Sequence, residues 1–461
     1  GAAPGRPCPA EGVQTPMVGS NTSNINQNGL DEILFEDGKV EFVLGGLRSD
    51  NSIFGIATLK SLDEIIIYKK ENGAYQIQGR VKFIYSYFGY STSPATPVRL
   101  RLDELRFLDA FGALLNKYKF EYHTNTFSWN QHAGQTPYPW YSKDYWGYYN
   151  GYINTSLIPT QNITYNINSI NHNATIGAAN RNSNPQYMKE GVLKKITFPT
   201  GGYTEFDYES HRYQEDNQIK YAGGLRVTTI KSYDNVGAGP ITKTYKYGEN
   251  ETGFGIKNFF NSLLYYNTES NHLLNICLSP PGSGGGTPGT TSYRQRTYYS
   301  NSTIEIDSRD GSPVVYPVVT EYVGDEQSNL GKTVFEYDNK LYEPDSMNII
   351  IGPQTSKNYK ADKSWKRGKL TKTIVYNTGG SKLSESISQF TIHNRQKIQI
   401  GTAINQFRIY APGPDFHEIC PNSTYWCLDE FGNNIDFMMY QHARYLQPSG
   451  ILLETSKQDT Y

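Results

Sequence analysis

The chain has 461 residues, which is enough for two or three ordinary domains or one large repetitive β assembly. Its 43 basic and 44 acidic side chains leave a net charge of -1. This excludes an overall positive electrostatic field that would attract nucleic acid or an anionic membrane. No apolar run is long enough for a transmembrane helix. The 38 Tyr, 20 Phe and 5 Trp exclude a disordered chain and favour half-buried sheets.

Alternation with a period of two residues recurs along the chain and predicts antiparallel strands with one buried and one wet face. In Thr204–Glu209, for example, Phe206 and Tyr208 alternate with carboxylates. The same pattern occurs, in chain order, at 81–88, 98–102, 117–122, 242–247 and 332–337. Helical periodicity is limited to Asn258–Tyr266 and Asp436–Tyr445. The fold class expected is therefore all-β, an extended array of antiparallel strands with few short helices.

Three regions follow from these patterns. Residues 1–122 form an N-terminal β region, residues 123–190 an aromatic, Asn-rich loop region, and residues 191–461 a β-repeat region. A Gly- and Pro-rich stretch at 278–292 is expected to be a flexible insertion in the last region, because strand patterns resume on both sides.

A loose repeat supports the idea of an array. Each copy begins with Gly and continues as an amphipathic strand, at Gly191–Phe198, Gly223–Ile230 and Gly368–Ile374. Repeated strand units that bury their faces against neighbouring units are typical of extended β assemblies.

Five segments together resemble the large Rhs/YD-repeat-like secreted surface proteins of Bacteroidota. They occur in the same order as in that family, at Lys143–Gly151, Tyr187–Glu209, Tyr221–Val227, Gly331–Asp338 and Trp365–Leu370. The resemblance covers roughly residues 80–400. It depends on the order of the segments and on their amino-acid sequences taken together.

The resemblance implies a spiral β-sheet shell around a hollow interior, which in Rhs relatives can enclose a C-terminal toxin. It also implies a secreted or cell-surface location on the exterior of the outer membrane, type IX secretion, and a C-terminal cargo domain or secretion components as partners. Two departures stand out. The Tyr-Asp pairs, Tyr233-Asp234 and Tyr337-Asp338, are sparse, and neither the self-cleavage segment nor a toxin is recognisable in the chain. We therefore expect the N-terminal part of such a protein, or a relative without cargo.

The sequence has no recognisable catalytic or metal-binding motif. The eight His include no pair at helical i, i+4 spacing, and no Cys-x-x-Cys, Gly-x-Ser-x-Gly or phosphate-binding Gly loop occurs. Asp307–Gly311 lacks the alternating ligand spacing of a calcium loop. We expect no enzyme activity, no catalytic residues, no cofactor and no metal.

The densest aromatic patch runs from Pro137 to Tyr149, and its candidate binding residues are Trp140, Tyr145, Trp146 and Tyr148. Two interpretations compete. The rings pin a long loop to the sheet, or they stack on a glycan or contact a partner protein through residues 123–160. The first interpretation gives a structural or encapsulating β-shell segment, and the second gives a surface binding module.

The four cysteines generate the first testable prediction. Six residues lie between Cys420 and Cys427, and Pro421 and Asn422 favour a chain reversal there. A secreted chain would form a disulfide between them. The alternatives are four buried thiols, or a Cys8–Cys277 pair by elimination. Intact mass before and after reduction, with peptide mapping, is expected to locate the bond at Cys420 and Cys427; alkylation of both thiols in the native protein would refute it.

Overall fold

A computed structural model describes residues 29–49, 59–88, 99–124, 141–167, 170–259, 266–278, 287–302, 306, 312–338, 346–351, 356–361, 368–393, 398–409, 427–428, 434–446 and 450–460. Within these ranges the regular elements are strands, apart from 3-10 turns such as the one at Glu249–Glu251. The all-β class is therefore confirmed.

The strands are, in chain order, β1 (Glu32–Phe35), β2 (Gly38–Leu47), β3 (Lys60–Glu71), β4 (Ala74–Phe88), β5 (Arg99–Leu108), β6 (Leu114–Tyr122), β7 (Gln161–Ile167), β8 (Ile170–Ile176), β9 (Leu193–Thr197), β10 (Tyr203–Glu215), β11 (Gln218–Tyr233), β12 (Ile241–Tyr247), β13 (Ile256–Lys257), β14 (Asn267–Leu278), β15 (Thr287–Tyr298), β16 (Val314–Val315), β17 (Val318–Gly324), β18 (Asn329–Tyr337), β19 (Ser346–Ile351), β20 (Ser356–Ala361), β21 (Leu370–Tyr376), β22 (Lys382–His393), β23 (Ile398–Ile409), β24 (Cys427–Leu428), β25 (Asn434–Leu446) and β26 (Gly450–Thr460).

One large sheet organises the chain. It contains fifteen strands in the order β1-β2-β3-β4-β5-β6-β9-β10-β11-β12-β17-β18-β21-β22-β26, so its strands follow chain order. Every neighbouring pair is antiparallel. The sheet is open, because β1 and β26 do not pair with each other.

The remaining strands form small satellite sheets. These pair β7 with β8, β13 with β16, β14 with β15, β19 with β20, and β25 with both β23 and β24. Thr287–Ser292, part of the expected flexible insertion 278–292, is paired strand in β15, whereas 279–286 lie outside the described residues. The helix expected at Asp436–Tyr445 is wrong, because β25 pairs with β23 along its length and a strand partner outweighs weak local periodicity.

The connections between neighbouring strands lie at two opposite sides of the large sheet, and these two sides differ. Because the strands alternate in direction, every connection that follows an odd-numbered strand of the sheet lies at the same side, which we call the turn edge. Its seven connections run for two to seven residues. The opposite edge, the insertion edge, carries the longer connections and the two-residue β10–β11 turn. Four of the longer connections hold the satellite sheets: the first (123–192), second (248–317), third (338–369) and fourth (394–449) insertions.

Acidic and amide side chains cap the turn edge. Asp109, Asp234, Asp325 and Asn377 each begin a turn, and each Oδ1 accepts one or two hydrogen bonds from backbone amides in that turn. This gives a physical reason for one Tyr-Asp pair. Tyr233 ends β11 as a packing ring, and Asp234 then closes the turn.

Both faces of the sheet are half-buried, which differs from the expected buried and wet faces. Phe206 and its neighbour Glu205, which point to opposite faces, are both partly exposed. Among the described elements, the sheet strands make substantial contacts almost only with their ladder neighbours; β10 also contacts β13 and β16, and β17 contacts the 3-10 turn. A layer that covers one face is therefore not seen in these ranges, and neither face is fully removed from water.

Cross-strand side chains compensate for this thin burial. One row alternates in charge across four strands, with Glu121 opposite Lys195, Lys195 opposite Glu205, and Glu205 opposite Lys231. Each opposite-charge cross-strand pair contributes roughly 0.2–1 kcal/mol. On the same face, Tyr203 stacks on Tyr233 with ring centroids 4.4 Å apart.

The buried core is concentrated beside the insertion edge. Eleven apolar side chains other than Pro are buried in the described part of the chain, and eight of them belong to the first two insertions or to the adjoining ends of β10 and β11: Tyr149, Ala179, Met188, Tyr213, Ala222, Phe259, Tyr266 and Val314. The insertions therefore build the only place where a conventional core forms within the described residues.

Gly331 in β18 provides a test of the sheet. Its φ of 123° is unfavourable for other residues, and an added Cβ would lie 2.5 Å from the Tyr376 carbonyl oxygen of β21. Gly331→Ala is expected to lower the free energy of unfolding by roughly 1–3 kcal/mol or more. Gly239→Ala is the matched control, because nothing lies within 4 Å of its added Cβ. Thermal melts of both variants measure this; equal melting temperatures would contradict the β18–β21 pairing.

Candidate functional site in the aromatic loop

The β10–β11 hairpin projects beyond its neighbours at the insertion edge. β9 pairs only with Tyr203–Glu205 of β10, and β12 pairs only with Thr229–Ser232 of β11. We call the remainder, residues 207–228, the arm. Its flanks lack ladder partners over most of their length, and the first and second insertions pack there.

Asp144 organises the aromatic loop from within. Its side chain is fully buried, and its Oδ1 accepts hydrogen bonds from the Trp146 and Tyr148 amides at 2.9 and 3.0 Å. Its Oδ2 accepts the Ser183 hydroxyl at 2.7 Å. Burial raises the pKa of Asp144, and these donors oppose that rise. The carboxylate therefore fixes the tight turn that presents the aromatic rings.

Arg181 joins the first insertion to the second. Its buried guanidinium donates to four backbone carbonyl oxygens at 2.8–3.0 Å, those of Lys143, Asp144, Leu157 and Ser300. The first three belong to the first insertion and Ser300 to the second. A buried cation whose hydrogen bonds are all accepted by carbonyl oxygens holds the segments that carry those carbonyls together, here the first and second insertions.

Two buried asparagines complete the network. Asn150 Nδ2 donates to the carbonyls of Asn180 and Asn182, both at 3.1 Å. Asn154 Nδ2 donates to the carbonyls of Tyr141 and Asn180, and its Oδ1 accepts the Asn180 amide at 2.9 Å. The Asn-rich composition of this region thus supplies hydrogen bonds in place of regular ladders.

Of the four candidate aromatic residues, Trp140 lies outside the described residues. Trp146 packs edge-on against Phe259 of the second insertion at 4.8 Å between ring centroids, and against the backbone of Gly223 in the arm. An added Cβ on Gly223 would lie 2.4 Å from Trp146 Cβ, so this glycine permits the close approach.

The other two rings differ in exposure. Tyr145 packs against Tyr266 at 5.5 Å, and the Arg181 guanidinium lies 5.1 Å from its ring centroid. Tyr148 is 38 % exposed. The structure therefore brings Tyr145 and Trp146 into packing between the insertions and leaves part of Tyr148 facing solvent.

A second polar cluster lies further along the arm. His211 is buried in β10, and its Nδ1 lies 3.1 Å from the Tyr316 hydroxyl of the second insertion. The two rings stack with centroids 5.8 Å apart. Burial, with a smaller contribution from Arg226, lowers the pKa of His211 to about 4.

Arg226 also packs against Tyr316. Its guanidinium lies 4.5 Å from the ring centroid of Tyr247 and 4.6 Å from that of Tyr316. Its Nε donates to Glu209 Oε1 at 2.9 Å. Arg212 Nη2 donates to the other carboxylate oxygen of Glu209 at 3.3 Å.

This His-Tyr-Arg-Glu cluster has the residue types of an acid-base site. Burial raises the pKa of Tyr316 and lowers that of His211. No group of three or more His, Cys, Asp or Glu that would hold a metal is present among the described residues. The arrangement connects the arm to the second insertion.

The sequence did not single out Asp144, Arg181, His211 or Arg226. Asp144 and Arg226 did fall within the segments that carry the family resemblance, which was the only signal that marked them. Their partners lie far away along the chain, as between Arg181 and Ser300, so no local pattern identifies the pairs.

Comparison with known proteins gives no assignment. No family model matches the chain, and no curated protein matches it. The described part of the chain contains no helix that is long and apolar enough to cross a membrane.

Trp146→Ala tests the packing of the aromatic loop. Trp-to-Ala changes in cores cost about 3–5 kcal/mol, and a partly exposed Trp lies at the lower end. We expect new protease cleavage within residues 123–160 while the large sheet survives, measured by limited proteolysis with mass mapping. Phe111→Ala is the control, because this ring is 97 % exposed. Wild-type protease resistance of Trp146→Ala would contradict the packing role.

His211 predicts a pH dependence. Its folded-state pKa, about 4, lies below the ordinary value of 6.5, so the unfolded chain binds the proton first as the pH falls. This contribution to stability is complete above about pH 6.5 and is lost towards pH 4, by about 1.4 kcal/mol per pH unit at most. His123, with a pKa that burial also lowers, adds in the same direction.

The His211→Phe variant keeps an aromatic ring beside Tyr316 but cannot titrate. Thermal unfolding of wild type and variant across this pH range is therefore expected to show a steeper acid loss in the wild type. Parallel curves would show that His211 is not buried as described.

Proposed function

We propose that the chain is a non-catalytic structural segment of a secreted or cell-surface protein of the Rhs/YD-repeat-like type. In this proposal its sheet forms part of the wall of a spiral β shell, in a larger toxin-delivery protein exported by the type IX route. Its partners are a C-terminal cargo domain or components of the outer membrane and secretion machinery.

One observation carries the proposal. The fifteen strands follow chain order in a single sheet, and both faces stay half-exposed in the described residues. A globular enzyme domain would cover at least one face with a second layer. The wall of a shell has two exposed faces. Long insertions do not interrupt such a wall when all of them connect strands at the same edge.

The bases of the insertions support the same interpretation. His123 and Val192 close the first insertion through a backbone hydrogen bond of 2.8 Å, and Gly248 and Val318 close the second through one of 2.9 Å. The sheet thus resumes directly beside the strand where it stopped. Insertions of this kind decorate a rim and leave the wall continuous.

The polar clusters favour a structural role over catalysis. The guanidinium of Arg181 donates its hydrogen bonds to backbone carbonyls. His211 and Tyr316 have pKa values that are shifted away from neutral pH. Each cluster joins an insertion to another insertion or to the arm. We therefore propose no enzymatic activity for this segment.

A binding module is the second candidate, and one observation favours it. Tyr148, Tyr152 and Ile153 of the aromatic loop are 38 %, 36 % and 59 % exposed. Exposed rings on a loop suit a glycan face or a partner protein.

Electron cryomicroscopy of the full-length secreted protein tests the shell. We expect a hollow particle in which this sheet is a wall one sheet thick. A second layer packed against either face would overturn the proposal. Binding to surface glycans that is lost in Tyr148→Ala, with protease resistance intact, would establish the binding module instead.

A further inference from the structure

A groove opens at the turn edge of the large sheet, between the β11–β12 turn and the β17–β18 turn. Its volume is about 800 Å³, within the range of roughly 300–1,000 Å³ that is typical of small-molecule sites. Its floor is one face of β11 and β12, where Lys231 lies opposite Thr242 and Thr229 lies opposite Thr244. The floor therefore presents one ammonium and three hydroxyl groups side by side.

The β17–β18 turn folds over this floor as a roof. The register between the two strands shifts at Gly324, whose φ is 113°, and such a bulge bends a strand. The Thr244 hydroxyl donates to the Gly324 carbonyl at 2.7 Å. Lys246 Nζ lies 2.5 Å from Glu326 Oε2 of the turn. Because Lys246 and Thr244 share a face of β12, both contacts hold the turn above that face.

Several polar groups of the groove have no partner among the described residues. The Lys231 side chain makes no ion pair or hydrogen bond there, although Glu205 lies opposite it on β10. The hydroxyls of Thr229 and Thr242 likewise make none. In the roof, Asp325 Oδ1 accepts two backbone amides of its own turn, whereas Oδ2 accepts no hydrogen bond from the described chain. The groove therefore offers a cation and hydroxyls below and a carboxylate oxygen above.

We propose that this groove binds a carboxylate-bearing sugar, a hexuronate, either as a free monosaccharide or as one unit of an acidic glycan. The Lys231 ammonium and the neighbouring Thr229 and Thr242 hydroxyls bind the carboxylate, and hydroxyls of the sugar donate to Asp325 Oδ2. The site is independent of the shell and of the aromatic loop, because it lies at the opposite edge of the sheet from the insertions.

The remaining side chains select this class of ligand. Ile241 and Leu330 line the groove and are 69 % and 80 % exposed, so the C–H groups of a sugar ring can pack against them. A polyanion is disfavoured by Asp325 in the roof and by Glu205 opposite Lys231. An uncharged sugar would leave the ammonium of Lys231 unpaired. A ring with a single carboxylate and several hydroxyls satisfies all of these groups.

Saturation-transfer NMR with the full chain compares glucuronate with glucose, which has a hydroxymethyl group in place of the carboxylate. Glucuronate is expected to bind with a roughly millimolar Kd, and glucose roughly tenfold or more weakly, because it lacks the charge-assisted hydrogen bond. A glucuronate trisaccharide distinguishes the two sources: tighter binding than the monosaccharide supports a glycan unit, and equal binding supports the free sugar. Equal binding of glucuronate and glucose would overturn the proposal, as would tighter binding of the zwitterion alanine.

Two lysine variants locate the site. Lys231→Gln is expected to weaken glucuronate binding roughly tenfold or more, because the charge is lost. Lys243→Gln is the matched control, since Lys243 follows Thr242 in β12 and points to the opposite face. It is expected to bind glucuronate like the wild type. Thermal melts verify that both variants keep the fold. Unchanged binding in Lys231→Gln, or an equal loss in both variants, would contradict the assignment.

Discussion

The antiparallel backbone ladder is the interaction on which the rest of this structure depends. A sheet with two half-exposed faces gains little from burial, so its ladders and cross-strand pairs must hold it together. The cluster around Tyr203 shows how. The ring stacks on Tyr233, Lys195 Nζ lies 4.2 Å from its centroid, and Glu205 sits opposite Lys195. Tyr serves this purpose better than Leu, because its ring packs while its hydroxyl reaches water. The aromatic-rich strands are the compositional result.

The arm is the exception, and it explains where the buried polar residues lie. Where β10 and β11 extend past their neighbouring strands, their flanks have no ladder partner over most of their length, so other parts of the chain must pack against them. The first two insertions do so, with Trp146, Phe259 and Val314 in the core and with Asp144 and Arg181 as buried connectors. Burying such charges costs free energy unless each is satisfied, and here the partners are backbone groups and the Ser183 hydroxyl. The geometry of the insertions is therefore specified by polar contacts.

The strands were predictable because alternation is local. Lys117–Tyr122 falls within β6 and Thr242–Tyr247 within β12, as the period of two indicated. The burial of the two sheet faces was not predictable, since alternation predicts a buried face only where a second layer covers it. The helix predicted at Asp436–Tyr445 failed for a related reason, because a partner strand distant in sequence decides such weak patterns. The candidate aromatic residues came from local density, whereas the connectors Arg181 and His211 act across long separations that no single sequence reveals.

Continuity of the sheet across an insertion is the central claim, and a disulfide crosslink between β12 and β17 tests it most directly. Lys243 and Val323 are opposite each other, although the whole second insertion separates them in sequence. With the native cysteines replaced, Lys243→Cys combined with Val323→Cys is expected to crosslink rapidly under mild oxidation. Thr242→Cys combined with Val323→Cys is expected to stay reduced, because adjacent side chains point to opposite faces. Failure of the first pair, or equal crosslinking of both, would contradict a sheet that continues past its insertions.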